Sequence, residues 1–411
     1  MSLTKAPINT DPFYLSFAQI FGVKKLLLLF YFIFLFFSSY SQDSCSLRIS
    51  LLTCAPGEEL YSTFGHTALR VQNIASGTDQ VYNYGTFEFG PDFYTKFIQG
   101  KLLYFLSVEE FPDFMYQYEM QSRSIREQVI QLNCDERKKL LAALHTNAQE
   151  ENRYYKYDFL FDNCTTRARD ITRKNTGDSI LFRNILPAEK PSFRNLIHSY
   201  LDAGKQPWSK LGIDILLGAK LDRKVTNEEA MFLPDYLLKG FDSAMINGRP
   251  LVSAPQTILA LPPAVKNNGL FTPFVIFSLL LVGGIILSFF SSRKVQNFLR
   301  VFDFIFFLFL GLAGILLLFM WFGTDHTVCA NNYNLFWALP THVIAAFFVR
   351  SSRPWVRSYF TITAWISLLL LLTWFFLPQQ MNNGLLPVVI LILLRSWQIS
   401  KKRHEEKRDQ L

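Results

Sequence analysis

After Phe271 the chain becomes a succession of apolar segments, and the basic residues between them crowd into alternate gaps. Five segments stand out, at about 271–290, 304–322, 335–349, 359–377 and 385–397. All 12 Lys/Arg of this half fall in three places: Arg293, Lys294 and Arg300; Arg350, Arg353 and Arg357; and Arg395 with Lys401, Lys402, Arg403, Lys407 and Arg408. The other two gaps, 323–334 and 378–384, have none. Inside a bilayer every backbone polar group must be paired internally, so such segments can cross only as helices. The positive-inside rule puts the basic gaps in the cytoplasm. The expectation is a linker over 254–270, an all-α transmembrane domain of five helices over 271–399 and a basic cytoplasmic tail over 400–411 that rests on anionic lipid.

Composition separates this half from the rest. Half of the 411 residues are hydrophobic, 41 are Phe and the mean hydropathy is +0.16, which excludes an ordinary cytosolic enzyme. The net charge is +8, yet residues 42–268 carry 26 Lys/Arg against 27 Asp/Glu, a net of −1, so a nucleic-acid surface is excluded there. Lys24-Lys25, the apolar run 26–37 and Ser39-Tyr40-Ser41 form the three parts of a secretory signal, giving a signal peptide over 1–41 cut after Ser41. Its apolar run is short of the roughly 20 residues a span needs. Export places the soluble region, 42–253, outside the membrane.

That region reads as α+β. Leu47 to Thr53, Thr67 to Val71 and Gln80 to Phe87 have strand character, with Gly77 turning between the last two. Phe111 to Met120 and Asp135 to Ala148 repeat with helical period, the latter with Asp135 as N-cap after a strand over Glu127 to Leu132. Cys164 to Arg173 reads as a helix that begins just after Asp162-Asn163.

Five cysteines are an odd number, and an unpaired thiol in an oxidising compartment is either a leftover or a reactive group. Cys164 is the candidate nucleophile. At a helix N-terminus the unpaired N–H groups and the dipole favour a thiolate, and its backbone N–H faces an oxyanion; Asn163 and Arg167 are the supporting candidates. A buried, inert thiol is the alternative. Cys45 cannot reach Cys54 across an extended strand, which leaves a Cys54–Cys134 bridge open. A nucleophilic thiol needs a base. His145 and His198 read as surface groups on helices, whereas His66 enters a strand after Gly65, so it is the candidate base. Asn83 on the next strand can orient the imidazole, or Tyr82 or Tyr84 if the register shifts by one. With no metal-ligand spacing and no glycine-rich phosphate loop, cofactor-free covalent catalysis is what the residues permit.

The motif Tyr61-Ser-Thr-Phe-Gly-His66-Thr-Ala-Leu-Arg-Val71, then Tyr157-Asp-Phe-Leu-Phe-Asp162-Asn163-Cys164-Thr-Thr-Arg167-Ala-Arg-Asp170, resembles the periplasmic domain of Lnb-type proteins of Bacteroidota. Trp208 to Tyr236 and the outer-loop residues Asp325, His326, Asn332, Asn334 and Trp337 resemble that family too. More distantly, a His-bearing strand before an Asn-Cys helix is similar to the permuted papain-like fold of the NlpC and lecithin:retinol acyltransferase group. The resemblance implies a multi-pass bacterial inner-membrane enzyme with a periplasmic, permuted papain-like domain. Its implied activity is N-acylation of the N-terminal cysteine of lipoproteins through an acyl-Cys164 intermediate, with no cofactor. Its partners would be a membrane phospholipid and a diacylglyceryl lipoprotein, with His326, Asn332, Asn334 and Trp337 holding substrate or capping helix ends. A membrane-tethered peptidase or amidase acting on cell-wall peptides is the rival, and a non-enzymatic envelope scaffold the third reading. The uncharged run Leu102 to Val108 suits a lipid chain better than a charged peptide.

Overall fold

The computed structural model describes residue 2 and residues 45–176, 180–262 and 269–401. The expected signal peptide, apart from Ser2, and the basic tail after Lys401 lie outside the described residues. Two compact units divide the chain between Ser46 and Leu47, and the second, Leu47–Leu411, contains both the soluble and the membrane-directed elements.

The soluble part is built on an antiparallel sheet of seven strands: β1 (Leu47–Cys54), β2 (His66–Asn73), β3 (Thr78–Thr86), β4 (Leu103–Glu110), β5 (Ile125–Val129), β6 (Tyr154–Lys156) and β10 (Gln256–Leu259). A second, small sheet joins β7 (Ile180–Leu181), β8 (Met245–Ile246) and β9 (Arg249–Pro250). The order in the large sheet is β10-β5-β1-β2-β3-β4-β6. β1 is an interior strand, between β5 and β2, and Ile49, Leu51 and Leu52 are fully buried there, as a strand covered on both faces requires. Part of the expected linker is thus sheet: Gln256 and Thr257 pair with Glu127 and Arg126.

Alternation along β2 separates the two faces. Ala68 packs with Val81, Phe114 and Tyr118 of the helix Phe111–Met120. Its neighbour Thr67 points the other way and meets Thr165 at 3.1 Å, in the helix Cys164–Asn175. The helix Cys134–Ala148 begins earlier than expected. Asn133, not Asp135, is its N-cap, because Asn133 and Glu136 exchange side-chain and backbone hydrogen bonds in a capping box.

In the membrane half three helices are long and apolar enough to cross a bilayer: Arg293–Phe322, Pro354–Thr373 and Asn383–Lys401. Pro273–Ser288 is a shorter apolar helix of 16 residues. The segment 335–349 is broken instead of continuous. It contains the end of a 3-10 turn, Tyr333–Phe336, and the five-residue helix His342–Ala346, with Pro340 between them. It lies against the long helix Arg293–Phe322 where that helix has glycines. A Cβ on Gly314 would strike the Ala338 carbonyl, and one on Gly311 the backbone of Val343. Arg395 and Asp303, each 1 % exposed, form a paired fork at 2.7 and 2.8 Å that ties the last helix to the long one.

The soluble and membrane parts meet at the C-terminal end of the helix Pro207–Leu216, whose last carbonyls need donors. Amides of two outer loops supply them. Asn332 donates to Ile215 and Leu216, Asn334 to Asp214, and Gln379 to Leu217, at 2.7 to 3.2 Å. The Asp214 carboxylate, buried, accepts from Asn382 (2.8 Å), Arg194 (2.7 Å) and His198 (2.8 Å). His198 is therefore not the surface group its sequence context suggested. It is 9 % exposed, because its partner carboxylate is held under the outer loops.

Candidate active site

His66 opens β2 after Gly65, and Cys164 opens its helix after Asn163. Asn163 is buried and fully occupied: its oxygen caps the Thr165 and Thr166 N–H groups, and its amide donates to the Phe159 and Phe232 carbonyls. It fixes where the helix starts, and so where the thiol sits. Its side-chain hydrogen-bonding groups are all engaged there. The Cys164 backbone N–H lies at the helix N-terminus, where unpaired donors face outward.

The two candidate groups, the Cys164 thiol and the His66 imidazole, converge on Gly85, near the end of β3. A Cβ at that glycine would lie 3.4 Å from the Cys164 Cβ and 3.8 Å from the His66 Cε1. Gly85 also has φ +91°, a conformation that side-chain-bearing residues avoid. The His66 imidazole and the Cys164 thiol are near enough to set each other's ionisation. On its far side His66 Nε2 lies 2.6 Å from Asn83 Oδ1, and the Asn83 amide donates to Glu109 Oε1 at 2.9 Å. Glu109 in turn accepts from Gln117 at 2.9 Å. This chain assigns the ring nitrogens. Asn83 spends its donor on Glu109, so its oxygen faces His66, Nε2 carries a proton, and Nδ1 is left for the thiol.

The β2–β3 register decides between the candidates for the third position. Leu69 pairs with Tyr82, so Asn83 shares the His66 face. Tyr82 and Tyr84, 2 % and 1 % exposed, point into the opposite layer, where Asn147 donates to the Tyr84 hydroxyl.

Electrostatics separates two thiols that flank the same imidazole. Burial opposes ionisation of Cys164, but the adjacent His66 charge, its hydrogen bond, the Thr67 N–H and the Thr165 hydroxyl outweigh it and bring the pKa down from 9.0 to about 7. Burial likewise disfavours charge on His66, yet the Cys164 thiolate and the bonds to Cys164 and Asn83 raise its pKa overall. Cys54 faces His66 across the β1–β2 ladder, and burial pushes its thiol up to about 12. Only Cys164 of this pair has a thiolate to offer near neutral pH. Cys45 and Cys134 are disulfide-bonded, whereas Cys54, Cys164 and Cys329 are free. The Cys54–Cys134 bridge left open by spacing does not form.

Arg167 does not face the thiol. It makes a two-pronged pair with Asp162, at 2.6 and 2.8 Å, and stacks over the Tyr155 ring at 3.5 Å. The Tyr155 hydroxyl, buried near Gly85, has no hydrogen-bond partner of good geometry. Of the outer-loop residues, Asn332, Asn334 and Trp337 are buried, and Trp337 donates to Asn334 at 2.8 Å. Asn332 and Asn334 join the two halves of the chain, and Trp337 braces Asn334. His326 meets the Phe97 carbonyl at 3.0 Å. Glu109, Gln117, Gly85 and Tyr155 are the neighbours that sequence reading missed. An acid closing the otherwise uncharged strand that follows Leu102 was the one available sign of Glu109. Among the described residues no group of three or more His, Cys, Asp or Glu could hold a metal ion.

Two family models match the chain: the Lnb N-terminal periplasmic domain over residues 37–198 and the Lnb transmembrane domain over residues 265–406. The first includes His66, Asn83 and Cys164; the second includes the outer loops. No curated protein and no solved structure matches.

Proposed function

The chain belongs to the Lnb family, and on that premise we propose that it is a lipoprotein N-acyltransferase with Cys164 as nucleophile. The Cys164 thiolate attacks the ester carbonyl of a membrane phospholipid. The C–O bond breaks, the departing lysophospholipid oxygen takes the proton held on His66, and a thioester remains on Cys164. The α-amine of a diacylglyceryl-cysteine then attacks the thioester. Its proton passes to His66, the C–S bond breaks and the thiolate returns, leaving an amide. Asn83, backed by Glu109, keeps the imidazole oriented through both half-reactions. The Cys164 N–H is the oxyanion donor. A thioester suits this sequence because it survives in a dry site and still acylates an amine.

The observation that carries the reading is where the thiol sits. β6 turns Tyr155 towards Gly85 and Cys164, and its next residue, Lys156, pairs with Asp325 at 2.6 Å. Asp325 follows the end of the helix Arg293–Phe322 by three residues. A tethered nucleophile at that height meets both lipid substrates at high effective concentration. We read the soluble domain as permuted papain-like, since the His-bearing strand precedes the Cys helix. The membrane part is proposed to cross five times. Supporting this, the loops with Asn334 and Gln379 both contact the soluble domain, whereas Arg357 donates to Ser400 at the opposite ends of their helices.

The test is acyl transfer by the purified full-length protein from labelled phospholipid. Wild type should acquire a hydroxylamine-sensitive label on Cys164 and pass it to a diacylglyceryl peptide, and Cys164→Ser and His66→Ala should do neither at normal membrane levels. Transfer by Cys164→Ser would refute the nucleophile. Release of cell-wall peptides without transfer would move the assignment to an amidase.

A further inference from the structure

The helix Phe93–Gln99 is anomalous for a water-soluble surface. Phe93, Tyr94, Phe97 and Ile98 form one apolar stripe by their i, i+4 spacing, yet none of its residues is buried. Tyr94 is 71 % exposed, and Phe89 just before the helix is 74 % exposed. These rings are ordered among themselves: Phe93 stacks with Phe87 at 5.6 Å and Phe97 at 6.0 Å, and touches Phe89 at 4.5 Å. A contiguous exposed apolar patch of this kind marks a surface that meets something apolar.

Its position identifies what it meets. The C-terminal end of this helix rests on the outer end of the long membrane helix. The Asp325 N–H donates to the Gln99 carbonyl at 2.9 Å, and His326 meets the Phe97 carbonyl at 3.0 Å. Beside this junction is a cleft of about 550 Å³ lined by Lys156, which is paired with Asp325, and by Lys220, Trp321, Phe322 and His326. Aromatic rings with basic groups at the end of a span belong at headgroup level. The patch also leads inward. Phe87, two residues after Gly85, touches Tyr104 at 5.3 Å, and Tyr104 stacks on Tyr157 at 4.3 Å. Tyr157, half-buried, lies close enough to Cys164 to feel its charge.

We propose that Phe93–Gln99 is an interfacial helix inserted in the outer leaflet, and that Phe87, Tyr104 and Tyr157 form the wall along which a phospholipid acyl chain passes from that leaflet to Cys164. The headgroup remains outside, against Lys220 of the cleft. The acyl route rests on the acyltransferase reading; the insertion of the helix does not. The helix is joined by hydrogen bonds to the loop that ends the membrane helix, and an exposed apolar face is what an amphipathic helix presents to the interface.

A photoreactive benzoylphenylalanine placed singly at Tyr94, Phe97 or Ile74 tests this in full-length protein reconstituted in vesicles of phosphatidylethanolamine and phosphatidylglycerol. Ile74, 77 % exposed on the β2–β3 turn, is the control for exposure alone. Mass spectrometry should find phospholipid adducts at 94 and 97 and none at 74. Phe97→Asp should lower acyl transfer from vesicle phospholipid by at least about tenfold, with the reaction of Cys164 with a soluble thiol reagent unchanged. Absence of lipid adducts at both 94 and 97 overturns the proposal, as does wild-type transfer by Phe97→Asp. Adducts at 94 and 97 in a wild-type protein that transfers no acyl group would support the inserted helix and remove the acyltransferase reading.

Discussion

Replacing His66 by alanine should change how Cys164 reacts with a disulfide probe in a way that reverses with pH. In the wild type the imidazole, helped by the Thr67 N–H and the Thr165 hydroxyl, overcomes burial and brings the thiol from 9.0 to about 7. At pH 6 this leaves ~9 % thiolate, against ~0.1 % for a thiol at 9.0, a ratio of about 90. A less basic thiolate is also a weaker nucleophile. With a Brønsted slope near ~0.45, a shift of two units costs about eightfold in intrinsic reactivity. The net expectation at pH 6 is a loss of about tenfold in the variant, and somewhat more because burial still opposes ionisation once the imidazole is gone. Above pH ~10 both thiols are ionised, and the variant should then react about eightfold faster than wild type. The assay is the rate of pyridinethione release from 2,2′-dithiodipyridine across the pH range, with Cys164 modification confirmed by peptide mass. Parallel profiles that never cross, or a common midpoint, would refute the assignment of His66 as the group that ionises Cys164.

Other parts of the structure make equally direct claims. Gly85→Ala introduces a side chain at φ +91° beside Cys164, and it should cost about 1–2 kcal/mol, read in thermal unfolding, and raise the Cys164 midpoint. Asp214→Ala would leave Arg194 with Asp222 as its remaining carboxylate and remove the acceptor for His198 and Asn382, lowering stability by about 1–3 kcal/mol in denaturant titration. Although burial opposes its charge, His198 and Arg194 hold Asp214 below the usual carboxylate range. Its contribution is thus complete above the unfolded value near ~3.9 and is lost as pH falls through the lower folded value, so Asp214→Asn should flatten the acid limb of a stability profile. Asp303→Leu should reduce the membrane level of the protein, and Arg395→Met in the same chain should restore it, because an uncompensated buried charge is worse than an apolar pair; accumulation on immunoblots reads both. With five crossings, a cysteine at Ser351 should react with membrane-impermeant maleimide only from the cytoplasmic side.

Much of this protein was legible along the chain wherever a property is local. Charge and hydropathy are summed over neighbours, so the division into a soluble and a membrane half was visible without coordinates. Strand alternation in β2 and β3 and the capping preference of Asn163 are local too, which is why His66 and Cys164 stood out as the first residues of a strand and a helix. Local pattern failed where a distant partner decides the outcome. The stretch 335–349 is as apolar as its neighbours, but Pro340 and the close approach allowed by Gly311 and Gly314 broke it into short turns. Gln256 and Thr257 look like linker and become sheet because β5 had an unpaired edge.

The site shows the same division. Residue types and their positions at element starts pointed to Cys164 and His66 in the sequence. Nothing in their spacing of 98 residues could say that the end of β3 offers a glycine between them, or that Cys54 faces the same imidazole and stays protonated. Register is a pairwise property of two strands, and it put Asn83, not Tyr82 or Tyr84, on the His66 face. His198, Asn332 and Asn334 read as surface or loop residues because their partners, Asp214 and its neighbours, lie up to 120 residues away. Burial and ionisation depend on the whole set of groups packed around an atom. Those sets are assembled only when the chain is folded.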